Sequence, residues 1–169
     1  VGYLCHESQL RWIDRSIEGL KALRSAGYKV VIVSNQAAVA KGLLSEQDLC
    51  RIHDVMLRKL ENARAECDAI YYCPHSPAGT VPDYSGPCSC RKPEPGLVLR
   101  ALRDFGLNPG ESYIIGDKLS DIEAGYRAGV PGILVRTGHG AFEEAKLPIK
   151  HAAPIHVADD LFSAVRWIL

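Results

Sequence analysis

The stretch from Tyr113 to Val135, YIIGDKLSDIEAGYRAGVPGILV, decides the fold. Tyr113–Ile115 is a short apolar run that leads straight into Gly116-Asp117. Ser120 to Ala128 then follows helical spacing and stops at Gly129, a residue free to adopt the backbone turn that ends helices. Gly132 to Val135 is a second apolar run. Strand, helix and strand in so short a span predict one unit of an α/β fold with parallel strands.

The pattern repeats upstream and downstream. Ile17, Leu20, Leu23 and Ala26 give Asp14–Ala26 a helical apolar stripe, with Gly27 as its C-cap. Lys29–Val33 (KVVIV) reads as a buried parallel strand. Ser45 with Asp48 reads as a capping box, Asp standing where Glu is usual, and opens a long helix to about Glu66. Asp68–Tyr72 predicts another strand. Pro95–Phe105 reads as a helix, with Pro near its first turn and Gly106 beyond its end. Ile155–Val157 is one more strand, and Asp159 or Asp160 opens a closing helix. The class is α/β, a parallel sheet flanked by helices. No repeat, low-complexity tract or linker divides residues 1–169, so one domain is expected.

Bulk properties narrow the function. A chain of 169 residues can bury a substantial core, and a formal net charge of zero exerts no general pull on nucleic acid or an anionic membrane. Anion recognition must then be local. No apolar run of about 18 residues suggests a membrane span, and no leader-like segment opens the sequence. The expectation is a cytoplasmic monomer without nucleic-acid or membrane partners.

The most specific local signal is CPHSPAGTVPDYSGPCSCRKP, residues 73–93. Cys73 and His75 form a Cys-x-His pair, and Cys88 and Cys90 a Cys-x-Cys pair. Three thiols and an imidazole are a donor set for a closed, structural Zn2+ site. The loop between the pairs, rich in Gly and Pro, cannot build a core. Cys5, Cys50 and Cys67 follow no pattern. Disulfides or plain buried thiols are the alternative, but reduced thiols with zinc fit the clustering better. The loop, 73–90, delivers the cations Arg91 and Lys92.

Ligands of parallel α/β sheets bind at the carboxyl ends of the strands. There this chain places Ser34-Asn35-Gln36, Gly116-Asp117-Lys118 and Arg91-Lys92. Hydroxyls, N–H groups and cations suit phosphoryl oxygens. A carboxylate at a strand end suits Mg2+. Together they equip a site for phosphoryl transfer, where positioning and charge neutralisation do most of the work. No glycine loop ending in GK[ST] marks a nucleoside triphosphate site. Singly, each feature has a plainer reading: Asp117 as a helix N-cap, Ser34-Asn35 as a turn, Arg91-Lys92 as a solvated pair. Among the histidines, His139 lies in a loop near the same edge. His53 reads as a surface or packing residue, and His6, His151 and His156 have no evident partner.

VVIVSNQAAVAKG, CPHSP…CSCRKPEPG and YIIGDKLSDIEAG resemble motifs II, III and IV of the haloacid dehalogenase (HAD) phosphatases. The resemblance spans nearly the whole chain and is closest to the D-glycero-D-manno-heptose-1,7-bisphosphate 7-phosphatases. Histidinol-phosphate phosphatases carry a similar Cys/His set with a shorter loop. The resemblance implies a HAD-like Rossmannoid sheet with a zinc loop, and a Mg2+-dependent phosphatase acting on a sugar bisphosphate. Its place would be the synthesis of nucleotide-activated heptose for lipopolysaccharide or another surface glycan. It implies that Ser34 contacts the transferring phosphoryl group and that Asn35, Gln36 and Ala37 line the substrate turn. Lys92 would neutralise the phosphoryl charge, and Arg91 would read the second phosphate. Asp117 would hold Mg2+, with Asp121 behind it and Lys118 touching substrate. Gly2-Tyr3 matches the substrate loop after motif I.

Motif I itself, Asp-x-Asp-Gly-Thr, has no counterpart, and no Asp-x-Asp occurs in the 169 residues. In the family its first aspartate is the nucleophile and its second the acid for the leaving group. The expectation is that an N-terminal segment of very roughly twenty residues, carrying that motif and its strand, precedes Val1. Two alternatives stay open: histidinol phosphate as substrate, and a non-catalytic zinc-stabilised binding domain.

Overall fold

The computed structural model describes residues 2–147 and 152–169. His151 lies outside the described residues. Five strands run β1 (Val31–Asn35), β2 (Ala69–Cys73), β3 (Ile114–Gly116), β4 (Gly132–Val135) and β5 (His156–Ala158). The helices are α1 (Ser16–Ser25), α2 (Ala37–Ala40), α3 (Glu46–Asn62), α4 (Gly96–Phe105), α5 (Leu119–Arg127), α6 (Gly140–Glu144) and α7 (Leu161–Ile168). Every strand pairing is parallel. β1 lies beside β2 with Val31 opposite Ala69 and Asn35 opposite Cys73. In the second sheet β4 is central, with Ile114 of β3 opposite Gly132 and Ala158 of β5 opposite Val135.

Several boundaries differ from the sequence reading. β1 starts two residues later than Lys29, so Ser34 and Asn35 belong to the strand. The cause is Asp68: its carboxylate accepts the Val30 N–H at 2.8 Å, and its own N–H bonds the Val30 carbonyl at 2.7 Å. Val30 therefore ends in a side-chain clasp, and the ladder begins at Val31. The long helix stops at Asn62 rather than Glu66. Arg64 turns to φ 56° and Ala65 N–H returns to the Leu60 carbonyl at 2.9 Å, a Schellman closure. α1 begins at Ser16 rather than Asp14, after Arg15 at φ 58°. The short helices α2 and α6 had no periodic signal long enough to foresee.

The core forms where helices cover the strands. Leu97, Val98, Ala101 and Leu102 give α4 its buried stripe, and Val98 and Leu102 pack with Ile114, Ala124, Ala128 and Val130. Burying each such Leu or Val contributes about 1.5–3 kcal/mol. Ala38, Val39, Leu44, Leu49 and Ile52 form a second cluster, roofed by Leu4, Cys5 and Leu10. On the other flank Ile133, Val135, Ala158 and Ala164 join β4, β5 and α7.

Among the described strands, β1 pairs only with β2 and β3 only with β4. A cavity of about 650 Å³ lies between them, walled by Val31–Asn35 on one side and Ile114–Lys118 on the other. Among the described residues, no helix is long and apolar enough to cross a membrane.

Candidate active site and metal centre

Ser34, Asn35, Lys92, Asp117, Lys118 and Asp121 all line this cavity. Lys92 ties the two sides together: its ammonium reaches the Val33 carbonyl of β1 and the Asp121 carboxylate in the first turn of α5, just past β3.

Lys92 is the most constrained of them. Its backbone is clasped by the Asn35 side chain: Lys92 N–H donates to Oδ1 and Asn35 Nδ2 donates to the Lys92 carbonyl, both at 3.0 Å. Its ammonium donates to the Val33 carbonyl at 2.7 Å and pairs with Asp121 at 2.6 Å. Both side chains of that pair are about nine-tenths buried, 10% and 8% exposed. Asp121 also accepts the Lys118 N–H at 3.1 Å through its other oxygen. Asp121 thus does two jobs: it caps α5 and holds the Lys92 ammonium. Asn35, expected to contact substrate, uses both polar atoms of its amide to hold the Lys92 backbone.

The remaining residues fall into place around them. Gln36 Nε2 donates to Ser34 Oγ at 3.0 Å, and Gln36 N–H bonds the Cys73 carbonyl at 2.8 Å. Ala37 opens α2. Asp117 sits one residue past β3, before Lys118, and its Oδ2 accepts the His139 N–H at 2.9 Å. Lys118 is exposed, as is Gly2. Tyr3 is 44% exposed and its ring lies 5.1 Å from Lys41 Nζ. His6 caps the turn Glu7–Gln9. His156 stacks on Trp167 at 4.7 Å, and His53 tilts over Tyr72 at 5.4 Å.

The cysteine loop closes into a cluster. One donor atom from each of Cys73, His75, Cys88 and Cys90 lies within 4.8 Å of all the others. Cys73 Sγ is 3.8 Å from His75 Nδ1, and the sulfurs of Cys88 and Cys90 are 2.8 Å apart. A tetrahedral Zn2+ with bonds of about 2.3 Å to sulfur needs donors roughly 3.8 Å apart; the Cys73–His75 pair already stands at that spacing, and the Cys88 and Cys90 sulfurs would open by about 1 Å to take the ion. Burial raises the Cys73 thiol above its ordinary value. Burial, with the neighbouring thiols, raises Cys90 too. At Cys88 burial also pushes upward, but hydrogen bonds from Cys90 and nearby backbone prevail and lower it. Cys88 is thus the thiol whose surroundings oppose ionisation least, and a bound cation would draw the protons from all three.

The loop is not held by the quartet alone. Thr80 and Val81 N–H groups converge on the Ala40 carbonyl at 2.7 and 2.9 Å. Tyr84 edges against His75 at 5.8 Å and donates its hydroxyl to Glu46 at 2.7 Å. Arg91 Nη1 donates to the His75 carbonyl at 2.8 Å, so its guanidinium is registered to a ligand residue of the cluster. Gly96 lets α4 abut the cluster: its N–H bonds the Ser89 carbonyl at 3.0 Å, and a Cβ there would stand 2.4 Å from that oxygen.

Comparison with known proteins agrees with this geometry. A family model described as HAD-hydrolase-like matches residues 89–164. A D-glycero-D-manno-heptose-1,7-bisphosphate 7-phosphatase of Chlorobaculum tepidum is 38% identical over 168 residues, covering 96% of this chain and 83% of the relative. A D-glycero-alpha-D-manno-heptose-1,7-bisphosphate 7-phosphatase of Photorhabdus laumondii is 39% identical over 144 residues, covering 85% and 79%. Among solved structures, a D,D-heptose 1,7-bisphosphate phosphatase from B. bronchiseptica, complexed with magnesium and phosphate, superposes with a TM-score of 0.86. It is 29% identical, and the match covers 98% of this chain and 88% of that one.

Proposed function

This chain belongs to the D-glycero-D-manno-heptose-1,7-bisphosphate 7-phosphatase family of HAD hydrolases, and from that membership we propose that the protein removes the 7-phosphate of a heptose 1,7-bisphosphate with Mg2+ as cofactor. The observation that carries the reading is the placement of Lys92. Its ammonium lies at the mouth shared by Ser34 and Asp117, one residue from an arginine registered to the zinc loop.

The residues divide the work. Ser34 Oγ donates to one phosphoryl oxygen. Lys92 offers its remaining donor capacity to another and offsets the charge that grows there. Arg91, a planar fork suited to bidentate phosphate contacts, holds the phosphate that stays behind. Gln36 orients the Ser34 hydroxyl. Gly2, Tyr3, Ala37 and Lys118 complete the substrate walls. Asp117 would hold Mg2+, which supplies charge neutralisation when bound. Cys73, His75, Cys88 and Cys90 would hold Zn2+ with a filled shell and no position for water, so its role is structural.

The family's nucleophile and acid aspartates are not among the 169 residues. We assign their place to the cavity between β1 and β3, where a parallel strand would pair with both facing edges. From its carboxyl end one aspartate attacks phosphorus to form an aspartyl-phosphate, and the second protonates the departing sugar oxygen. Water then cleaves the acyl phosphate to give inorganic phosphate. Zinc held by thiolates and a phosphorylated intermediary-metabolism substrate support a cytoplasmic setting, in the supply of activated heptose for lipopolysaccharide or another surface glycan. The zero net charge supports a protein without nucleic-acid or membrane partners, and we take it as a monomer.

The test is a phosphate-release panel on protein expressed from the complete gene with Mg2+ present. Heptose 1,7-bisphosphate should turn over far faster than histidinol phosphate. The reverse order would assign the site to the other substrate, and no turnover of either would leave a binding domain.

A further inference from the structure

The turn that follows β4 has no part in the chemistry above, yet it is built around the carboxylate of Asp117. His139 donates its backbone N–H to Asp117 Oδ2 at 2.9 Å. Gly138 precedes it at φ +63°, and a Cβ there would stand 2.3 Å from the same oxygen. Glycine is needed here for its left-handed backbone and for lack of space. The turn is fixed from outside. Gly140 N–H bonds the Thr137 carbonyl at 3.0 Å and Ala141 N–H bonds the Arg136 carbonyl at 3.2 Å. The Arg136 guanidinium is held by both oxygens of Glu144, at 2.7 and 2.8 Å, and by Asp159 at 2.6 Å. From α6, Glu143 accepts the Leu119 N–H at 3.1 Å and so ties the turn to the start of α5. Lys146, then that Leu119 bond, keep the Glu143 carboxyl below its ordinary value against burial.

We propose that the Gly138–His139 turn is a positioning device for the Asp117 carboxylate. It holds Oδ2 on a backbone N–H and presents Oδ1 to a divalent cation. The proposal rests on the reading of Asp117 as the Mg2+ ligand. Mg2+ demands near-octahedral geometry and takes carboxylates through single oxygens. A carboxylate with one oxygen already bonded is committed to that mode and has less rotational freedom to lose. The work falls to the His139 backbone, not to its imidazole.

The experiment uses protein from the complete gene and Mn2+ as a spectroscopically visible probe, its Kd read by electron paramagnetic resonance. Gly138→Ala should weaken Mn2+ binding by about 10–100-fold, the usual cost of losing a group that orients a metal ligand. The Mg2+ concentration for half-maximal rate should rise in step, while zinc content stays near the parent value. His139→Ala keeps the N–H, so its Mn2+ Kd should stay within about twofold of the parent. A Gly138→Ala protein with unchanged Kd overturns the proposal. So does a tenfold loss in His139→Ala, which needs no result from the glycine variant. Asp117→Asn separates the two layers. If it retains full Mn2+ affinity, the ligand assignment itself fails. If it loses affinity while Gly138→Ala does not, only the positioning role fails.

Discussion

Replacing Asp121 by Asn removes the charge opposite Lys92 while preserving shape and an acceptor for the Lys118 N–H. The Lys92 ammonium and the Asp121 carboxylate are 2.6 Å apart with little solvent access. At an effective dielectric of about 20, that separation corresponds to roughly 6 kcal/mol of attraction before desolvation is charged against it. Breaking a buried pair by removing one partner typically costs about 3–5 kcal/mol, because the other charge is left uncompensated. Lys92 keeps its bond to the Val33 carbonyl, which favours the low end, about 3 kcal/mol. For a chain of this size that lowers Tm by about 6–12 °C. Urea unfolding of Asp121→Asn, Lys92→Met and the double variant closes a double-mutant cycle. The double variant should be less destabilised than Asp121→Asn alone, since no buried charge remains. Activity should fall in all three. A loss under about 1 kcal/mol in Asp121→Asn, with additive singles, would refute the claim that this carboxylate positions the ammonium.

Other outcomes follow from the same geometry. Stripping zinc should increase amide exchange across residues 73–90 and release Arg91 more than Lys92, because the Asn35 clasp holds Lys92 independently; equal exchange with and without zinc would contradict a structural metal. Burial would raise Asp68, but its bonds with Val30, Lys29 and Arg24 outweigh burial and lower it. Its contribution is therefore full above an unfolded value of about 3.9 and is lost as pH falls through the lower folded value. Asp68→Asn should flatten the stability profile on that acid side, and an unchanged profile would deny the clasp its role. Gly96→Ala should push α4 from the Ser89 carbonyl and cost about 1–3 kcal/mol by overpacking, visible in urea unfolding; a neutral result would mean the junction yields easily.

Much of the fold was legible because its periodic signals are strong and local. The run from Tyr113 to Val135 predicts β3, α5 and β4 within a residue or so. Residue chemistry and spacing sufficed for the Cys/His quartet, since few arrangements bring three thiols and an imidazole together for another reason. What sequence did not reveal was long-range bonding. Nothing local marks Asp68 as the residue that delays β1, or Asn35 as a clasp for a lysine 57 positions away. Nor does it show the partner of Asp121, because a carboxylate in a helix's first turn reads equally well as a cap. His139 stood out only as part of a Gly-flanked loop; that its backbone bonds Asp117 depends on how β3 and β4 align.

The central claim is that this site takes the phosphate from carbon 7 of a heptose 1,7-bisphosphate. It is tested most directly by following the 31P resonances of that substrate with protein from the complete gene and Mg2+. The expected record is loss of the 7-phosphate signal, one equivalent of inorganic phosphate, and persistence of the 1-phosphate. Release of the 1-phosphate first, or no release at all, would contradict it.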